Sequence, residues 1–252
     1  MRVMITLESV NQGPLIIPAR MYADWVQGAV YQAMGEPVAR VVHDHGFVIE
    51  GRSLRLFTFS QLFGTYQLKS GVFAFNWPIQ LVVSSPIRVI IDQFIQALLS
   101  RHQWRIGPTP CRLGSITVQE PRVTDNKILV RTLSPITIHS TFEKPDGGVY
   151  TQYYHPREVE FGRLIRTNLL RKYQVIYGHP WGGAESDFSI RAQGATKFHL
   201  VRYKKTIIKG YAGMFRLEGS KDLLQVGLDA GLGDRNSQGF GLVESISGNE
   251  VR

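Results

Sequence analysis

Apolar and polar positions alternate from Met1 to Glu8, the two-residue period of a strand with one buried face. The period then lengthens. Tyr22, Trp25, Val26, Ala29, Val30 and Ala33 recur at the spacing of one helical face, after Pro18 and before the breakers Gly35 and Pro37, which predicts a first helix. Strand-like runs follow at Arg55 to Ser60, around Val72 to Phe75 and at Ile79 to Ser84. A second helix is marked by Ser85 as a cap, Pro86 in its first turn and the stripe Ile87, Ile90, Ile91, Phe94 and Leu98. A strand at Ser115 to Val118 would close the unit. The order β-α-β-β-α-β is the ferredoxin-like arrangement. The polar stretch Pro121 to Asn126 reads as a boundary. Beyond it, strands around Ile128 to Thr132 and Ile136 to His139 precede a helix from about His155 to Lys172, and more strands run to Ile246. The expectation is an α+β chain of two tandem ferredoxin-like domains, 1–123 and 127–252, the second a modified copy without residue-level repetition.

Charge changes this picture more than bulk composition does. The chain has 252 residues, 43% of them apolar and 19% charged, enough to bury a core and argue against disorder. Lys and Arg number 29 against 20 Asp and Glu, a net +9, which favours a polyanionic partner such as nucleic acid. Residues 1–125 carry 11 basic and 8 acidic groups and residues 126–252 carry 18 and 12, so the C-terminal half is the better candidate for gripping a phosphate backbone. Cys111 is the only cysteine, which excludes an internal disulfide and a thiolate zinc cluster and suits a reducing cytoplasm. The most apolar stretch is interrupted by Arg88 and Asp92, so neither export nor membrane insertion is expected.

Four features could carry chemistry. From Phe188 to Leu217 stand Arg191, Lys197, Arg202, Lys204, Lys205, Lys209 and Arg216 with no acidic residue, interleaved with Phe198, His199 and Tyr203. Surface strands ordinarily mix signs, so an acid-free ribbon suits a nucleic-acid groove, the alternative being a merely solvated basic hairpin. The second feature runs from Gly231 to Gly241. It sets Gly231 and Gly233 before a polar stretch containing Arg235, and Gly239 and Gly241 after it. No Lys-Ser or Lys-Thr follows and the next segment reads as a strand, so it is neither a Walker loop nor a dinucleotide fingerprint. Its glycines permit close backbone approach, to a phosphate or to a neighbouring element, and a plain hairpin turn is the simpler reading. Third comes His43-Asp44-His45, followed by Arg52 and Arg55. No third metal ligand stands at usable spacing, so no metal or other cofactor is expected. An imidazole there could serve as general base or acid beside an arginine that neutralises a phosphorane, or be a bystander. Last, Tyr31 falls about 180° from Tyr22 around the first helix. With Gly28 and Asp24 it shares the outer side, which meets either water or another domain.

Together these features resemble the sixth family of CRISPR-associated proteins, the endoribonucleases of the RAMP superfamily that process precursor CRISPR RNA. The likeness spans nearly the whole chain. It is carried by Ala29-Val30-Tyr31, His43-Asp44, Arg55-Leu-Phe-Thr-Phe-Ser60, Leu133-Ser-Pro-Ile136 and the glycine-rich loop. The resemblance implies two ferredoxin-like domains in tandem, CRISPR repeat RNA as partner and, as further candidates, other Cas proteins of an effector complex. It implies a histidine, a tyrosine and a lysine in catalysis, which by position are His43, Tyr31 and Arg55. Arginine keeps the charge but is a poor proton donor, and His45 could share or replace the work of His43. The expected chemistry is metal-independent attack of a 2′-hydroxyl on the adjacent phosphorus, giving 2′,3′-cyclic phosphate and 5′-hydroxyl ends. A non-catalytic RAMP-superfamily subunit that only binds RNA is the alternative.

Overall fold

The computed structural model describes residues 1–35, 40, 46–101, 103–145, 147–184 and 187–246. His43, Asp44 and His45 lie outside the described residues. In the N-terminal half the elements are β1 (Arg2–Ser9), β2 (Leu15–Pro18), α1 (Tyr22–Ala33), β3 (Phe47–Ile49), β4 (Arg52–Leu54), β5 (Thr58–Phe59), β6 (Tyr66–Lys69), β7 (Val72–Phe75), β8 (Ile79–Ser84), α2 (Arg88–Ser100), β9 (Trp104–Ile106) and β10 (Thr109–Gln119). The main sheet here has the order β5-β8-β1-β10-β9. β1 is central, antiparallel to β8 and β10, and its alternation works as read: Val3, Ile5 and Leu7 are fully buried. Val26, Ala29, Val30 and Ala33 of α1 and Ile90, Ile91, Phe94 and Leu98 of α2 join them in one core.

The C-terminal half contains β11 (Lys127–Thr132), β12 (His139–Glu143), β13 (Val149–Tyr153), α3 (Val159–Tyr177), β14 (Phe188–Tyr203), β15 (Thr206–Gly219), α4 (Lys221–Ala230) and β16 (Val243–Ile246). Its four-stranded sheet has the order β14-β15-β11-β16, and β12 with β13 forms a separate hairpin. A second core gathers Val130, Phe215, Leu217 and Val243 from this sheet with Phe161, Ile165 and Leu169 of α3 and Leu223, Leu224 and Leu228 of α4.

Several boundaries differ from the sequence reading, each for a local reason. Within Arg55 to Ser60 only Thr58 and Phe59 join the sheet, because Leu56 sits at φ 48° and breaks the extended run. The second helix starts at Arg88, since Ser85 Oγ accepts from the Ile87 amide at 3.0 Å and donates to the Leu56 carbonyl at 2.7 Å, one turn early. The third begins at Val159 because His155 Nδ1 accepts from the Arg157 amide and its carbonyl from that of Glu158, a turn ahead of the helix. It runs on to Gly178, a left-handed cap at φ 78°. Ile136 makes only a bridge to Tyr211, and His139 opens a different strand. No described helix is long and apolar enough to cross a membrane.

The two halves are joined by specific contacts as well as by apolar packing. Buried Arg2 donates to the carbonyls of Val243 and Leu228, at 2.6 and 3.3 Å. Thr58 Oγ1 donates to the Phe240 carbonyl at 2.9 Å, and the Met1 ammonium pairs with Asp229 at 3.0 Å. Along this seam Val82, Leu133 and Leu242 form a small apolar cluster of their own.

Candidate functional site

An open cleft of about 390 Å³ lies on the same seam, lined by Arg55 and Phe57 of the N-terminal half and by His139, Lys172, Asp234 and Arg235 of the C-terminal half. The volume suits roughly one drug-sized or nucleotide-sized group.

Tyr31 does not line this cleft but packs on Phe57, which does. It stands on the face of α1 opposite the buried stripe, half-buried against the N-terminal core; on that side Asp24 and Gln27 meet the C-terminal half while Gly28 stays exposed. The ring lies edge-on to Phe57 at 5.5 Å, and the Ser237 side chain lies near the hydroxyl. Burial raises the Tyr31 pKa, while Ser237 and the nearby Arg55 guanidinium pull it back. One turn earlier, Gln27 Nε2 donates to the Ser237 carbonyl at 2.8 Å and Gln27 Oε1 accepts from the Tyr203 hydroxyl at 2.5 Å. Asp24 Oδ2 accepts from the Lys204 amide at 3.4 Å. Residues 24, 27 and 31 therefore form a polar stripe, at helical spacing, that holds the glycine-rich loop and the tip of the β14–β15 ribbon.

The loop itself, Gly231 to Gly241, is neither a hairpin turn nor an open cradle. Gly231, Gly233, Gly239 and Gly241 all have positive φ, as does Arg235, and a short 3₁₀ turn spans Asn236–Gln238. A Cβ at Gly239 would stand 2.6 Å from the Phe59 ring, and one at Gly241 would collide with the Leu232 carbonyl. The glycines thus serve close packing of chain on chain. Lys172, 2% exposed on α3, fixes the loop from beneath: its ammonium donates to the carbonyls of Gly231 (2.7 Å) and Gly233 (3.0 Å) and to Asn236 Oδ1 (2.7 Å). Burial brings the Lys172 pKa down to about 7, opposed by the carboxylate of Asp234. Asn236 Nδ2 in turn donates to the Leu232 and Phe240 carbonyls, closing the loop on itself.

The basic ribbon is two-sided. The register pairs Phe198 with Tyr211, Leu200 with Lys209 and Arg202 with Ile207, and directly opposed residues share a face. That face looks outward, with Phe198 at 49%, Leu200 at 59% and Ile207 at 54% exposure. His199, Val201 and Tyr203 lie on the other face with buried Ile208, where Tyr203 reaches Gln27. So the three rings read together in the sequence separate: Phe198 is outside with Arg202 and Lys209, whereas His199 and Tyr203 turn towards the body. Arg191 and Arg216 are opposed beyond the bulge between Gln193 and Lys197, and Lys204 and Lys205 form the exposed turn.

Among the cleft residues that the sequence did not single out are His139 and Asp234. His139, at the start of β12, brings Nδ1 to 2.5 Å from Asp234 Oδ2, and its backbone amide donates to the same oxygen at 3.1 Å. Asp234 belongs to the glycine-rich loop, and the pair spans 95 positions of chain, a separation at which no spacing rule operates.

Comparison with known proteins gives the arrangement a context. Residues 118–245 match the family model described as CRISPR associated protein Cas6, C-terminal. A Pyrococcus furiosus protein named CRISPR-associated endoribonuclease Cas6 is 27% identical over 90% of this chain and 83% of the relative. The Methanocaldococcus jannaschii protein named CRISPR-associated endoribonuclease Cas6 1 is 26% identical over 77% of this chain and 75% of its own. Among solved structures, the product of a Cas6-related gene from Pyrococcus furiosus superposes with a TM-score of 0.82 at 23% identity, covering 98% of this chain and 99% of that one. A RAMP protein described as binding different RNA substrates gives 0.80 at 21% identity, over 98% and 100% of the two chains.

Proposed function

The chain belongs to the Cas6 family of CRISPR-associated proteins, and from this we propose that it is an endoribonuclease that cuts CRISPR repeat RNA at the cleft between its two halves. The observation that carries the reading is that Arg55 from the end of the β3–β4 hairpin and Ser237 from the glycine-rich loop line one cleft of nucleotide size, with Tyr31 of α1 packed on Phe57 of the same lining and within electrostatic reach of both. The segment bearing His43 and His45 leads directly into that hairpin, whose first strand pairs Phe47 with Leu54, next to Arg55.

In this mechanism His43, or His45 in its place, takes the proton of a 2′-hydroxyl with Tyr31 assisting, and the 2′-oxygen attacks the adjacent phosphorus. Arg55 neutralises the charge that builds on the phosphorane oxygens, a task that needs a fixed cation and no proton transfer. The products are a 2′,3′-cyclic phosphate and a 5′-hydroxyl, without a metal ion. The outward face of the ribbon, with Arg202, Lys209 and Phe198, supplies backbone charge contacts and a ring on which a base can stack. Arg191, Lys197, Lys204, Lys205 and Arg235 add to the field, and the glycines at 231, 233, 239 and 241 shape the loop that supports Tyr31.

We read the halves, 1–123 and 127–252, as tandem ferredoxin-like domains. Supporting this, each sheet lists its four principal strands in the same order, second, third, first and fourth by sequence, with a helix after the first and third. The test of function is to incubate the protein with repeat RNA in excess EDTA and map the ends. Cleavage at one link leaving a cyclic phosphate and a 5′-hydroxyl is expected. Turnover only with added metal, or 5′-phosphate ends, contradicts the mechanism, and tight binding without cutting assigns the chain to RNA binding alone.

A further inference from the structure

The lining that the C-terminal half gives the cleft includes His139, Asp234 and Asn168, which the mechanism above does not use. His139 and Asp234 have side chains 22% and 19% exposed, and His139 Nδ1 stands 2.5 Å from Asp234 Oδ2. Asp234 is itself set by its amide, which donates to the Thr137 carbonyl at 2.9 Å, and the His139 ring packs beside Tyr153 at 5.4 Å. A carboxylate beside Nδ1 favours a proton on that nitrogen and leaves Nε2 as the atom that gives or takes one. His139 Nδ1, close to Asp234 Oδ2 but outside hydrogen-bond geometry, and Asp234 Oδ1, Asn168 Oδ1 and Arg235 Nε are buried with no hydrogen-bond partner among the described residues, and all four residues line the same cleft. Buried polar atoms are ordinarily satisfied, and a group of exceptions on one cleft wall marks a place built for a polar ligand.

We propose that His139, held by Asp234, is the proton donor to the leaving 5′-oxygen of the RNA. This rests on the reading of the cleft as the site of cutting. The step balances as follows: the 2′-oxygen–phosphorus bond forms while the phosphorus–5′-oxygen bond breaks. The 2′-hydroxyl proton passes to the base on the N-terminal side, the departing 5′-oxygen takes the proton of His139 Nε2, and His139 regains one from water. Arg55 cannot do this work because a guanidinium does not release its proton. In this assignment the donor comes from the C-terminal half and the charge stabiliser from the N-terminal half, so one reaction needs both halves.

The test replaces the bridging 5′-oxygen at the cleaved link by sulfur, which departs as a thiolate without needing a proton. His139→Ala is compared with the wild type in single-turnover cleavage of native and sulfur-bridged RNA. The expected result is a loss of about 100-fold or more on native RNA, the usual contribution of a general acid, with sulfur-bridged RNA cut within a few fold of wild type. Asp234→Asn should lose less on native RNA and show the same rescue. Equal losses on both substrates, or a loss below about 5-fold on native RNA, overturn the proposal. If the alanine variant does not fold, His139→Gln, closer in volume, carries the same comparison. A wild-type protein that fails to cut native RNA would instead count against the functional reading itself.

Discussion

Replacing Lys172 by Met removes one side chain of similar length and, with it, the support of the glycine-rich loop. Three acceptors, the carbonyls of Gly231 and Gly233 and Asn236 Oδ1, lose their donor in a site 2% exposed. Each orphaned buried acceptor costs about 1–3 kcal/mol, so the gross loss is about 3–9 kcal/mol. The variant also avoids burying an ammonium, the effect that brings the Lys172 pKa down to about 7, and this offsets part of the loss. The expected net destabilisation is about 3 kcal/mol, read as a fall in Tm of about 6–12 °C for a chain of this size. The pH dependence has a definite sign. A lysine whose folded pKa lies below its unfolded value binds fewer protons folded than unfolded between pH ~7 and ~10.4, so the wild type gains stability relative to the variant as pH rises through that window. Thermal and urea melts at pH 7 and 9.5 measure both effects. A net change under about 1 kcal/mol, or a difference that shrinks with rising pH, would refute the assignment of Lys172 as the loop's anchor.

Gly241→Ala forces a Cβ into the Leu232 carbonyl at φ 78°, so it should cost more than about 1 kcal/mol, and a melt within error of wild type would be inconsistent with the loop's packing role. Arg55→Ala should slow single-turnover cleavage by about 100-fold or more while leaving RNA affinity within a few fold, and Arg55→Lys should recover part of the rate, since the role is charge rather than proton transfer. Arg202→Ala with Lys209→Ala removes both cations from the outward face of the ribbon. The slope of log affinity against log salt should flatten by about 1.4, two single-strand phosphate contacts, and an unchanged slope would take the ribbon out of the interface.

The elements legible in the sequence were those whose partners are periodic. The stripe of α1 was readable because Val26, Ala29, Val30 and Ala33 face one core. Its polar face could be narrowed to water or a neighbouring domain, and only the tertiary structure shows Asp24, Gln27 and Tyr31 holding the C-terminal half. The glycine-rich loop was visible as a motif, but why it needs glycine was only partly so, because two of the colliding groups, Phe59 and Thr137, come from distant segments. Lys172 sits on α3 among the exposed or half-exposed Arg163, Arg166 and Arg171 and has no local mark that separates it from them. The ribbon announced its charge without its register, which alone decides that Phe198 faces outward and Tyr203 inward. His139 and Asp234 were invisible for the most general reason: a pair made by folding leaves no spacing in the chain.

The central claim is that the RNA supplies its own nucleophile at this cleft. Repeat RNA carrying a single 2′-deoxy substitution on the nucleotide 5′ to the cleaved link tests it most directly, with binding and cleavage measured on the same sample. The account predicts unchanged affinity and complete loss of cutting at that link. Cleavage of the deoxy-substituted link at an undiminished rate would contradict it, because the nucleophile would then have to come from water.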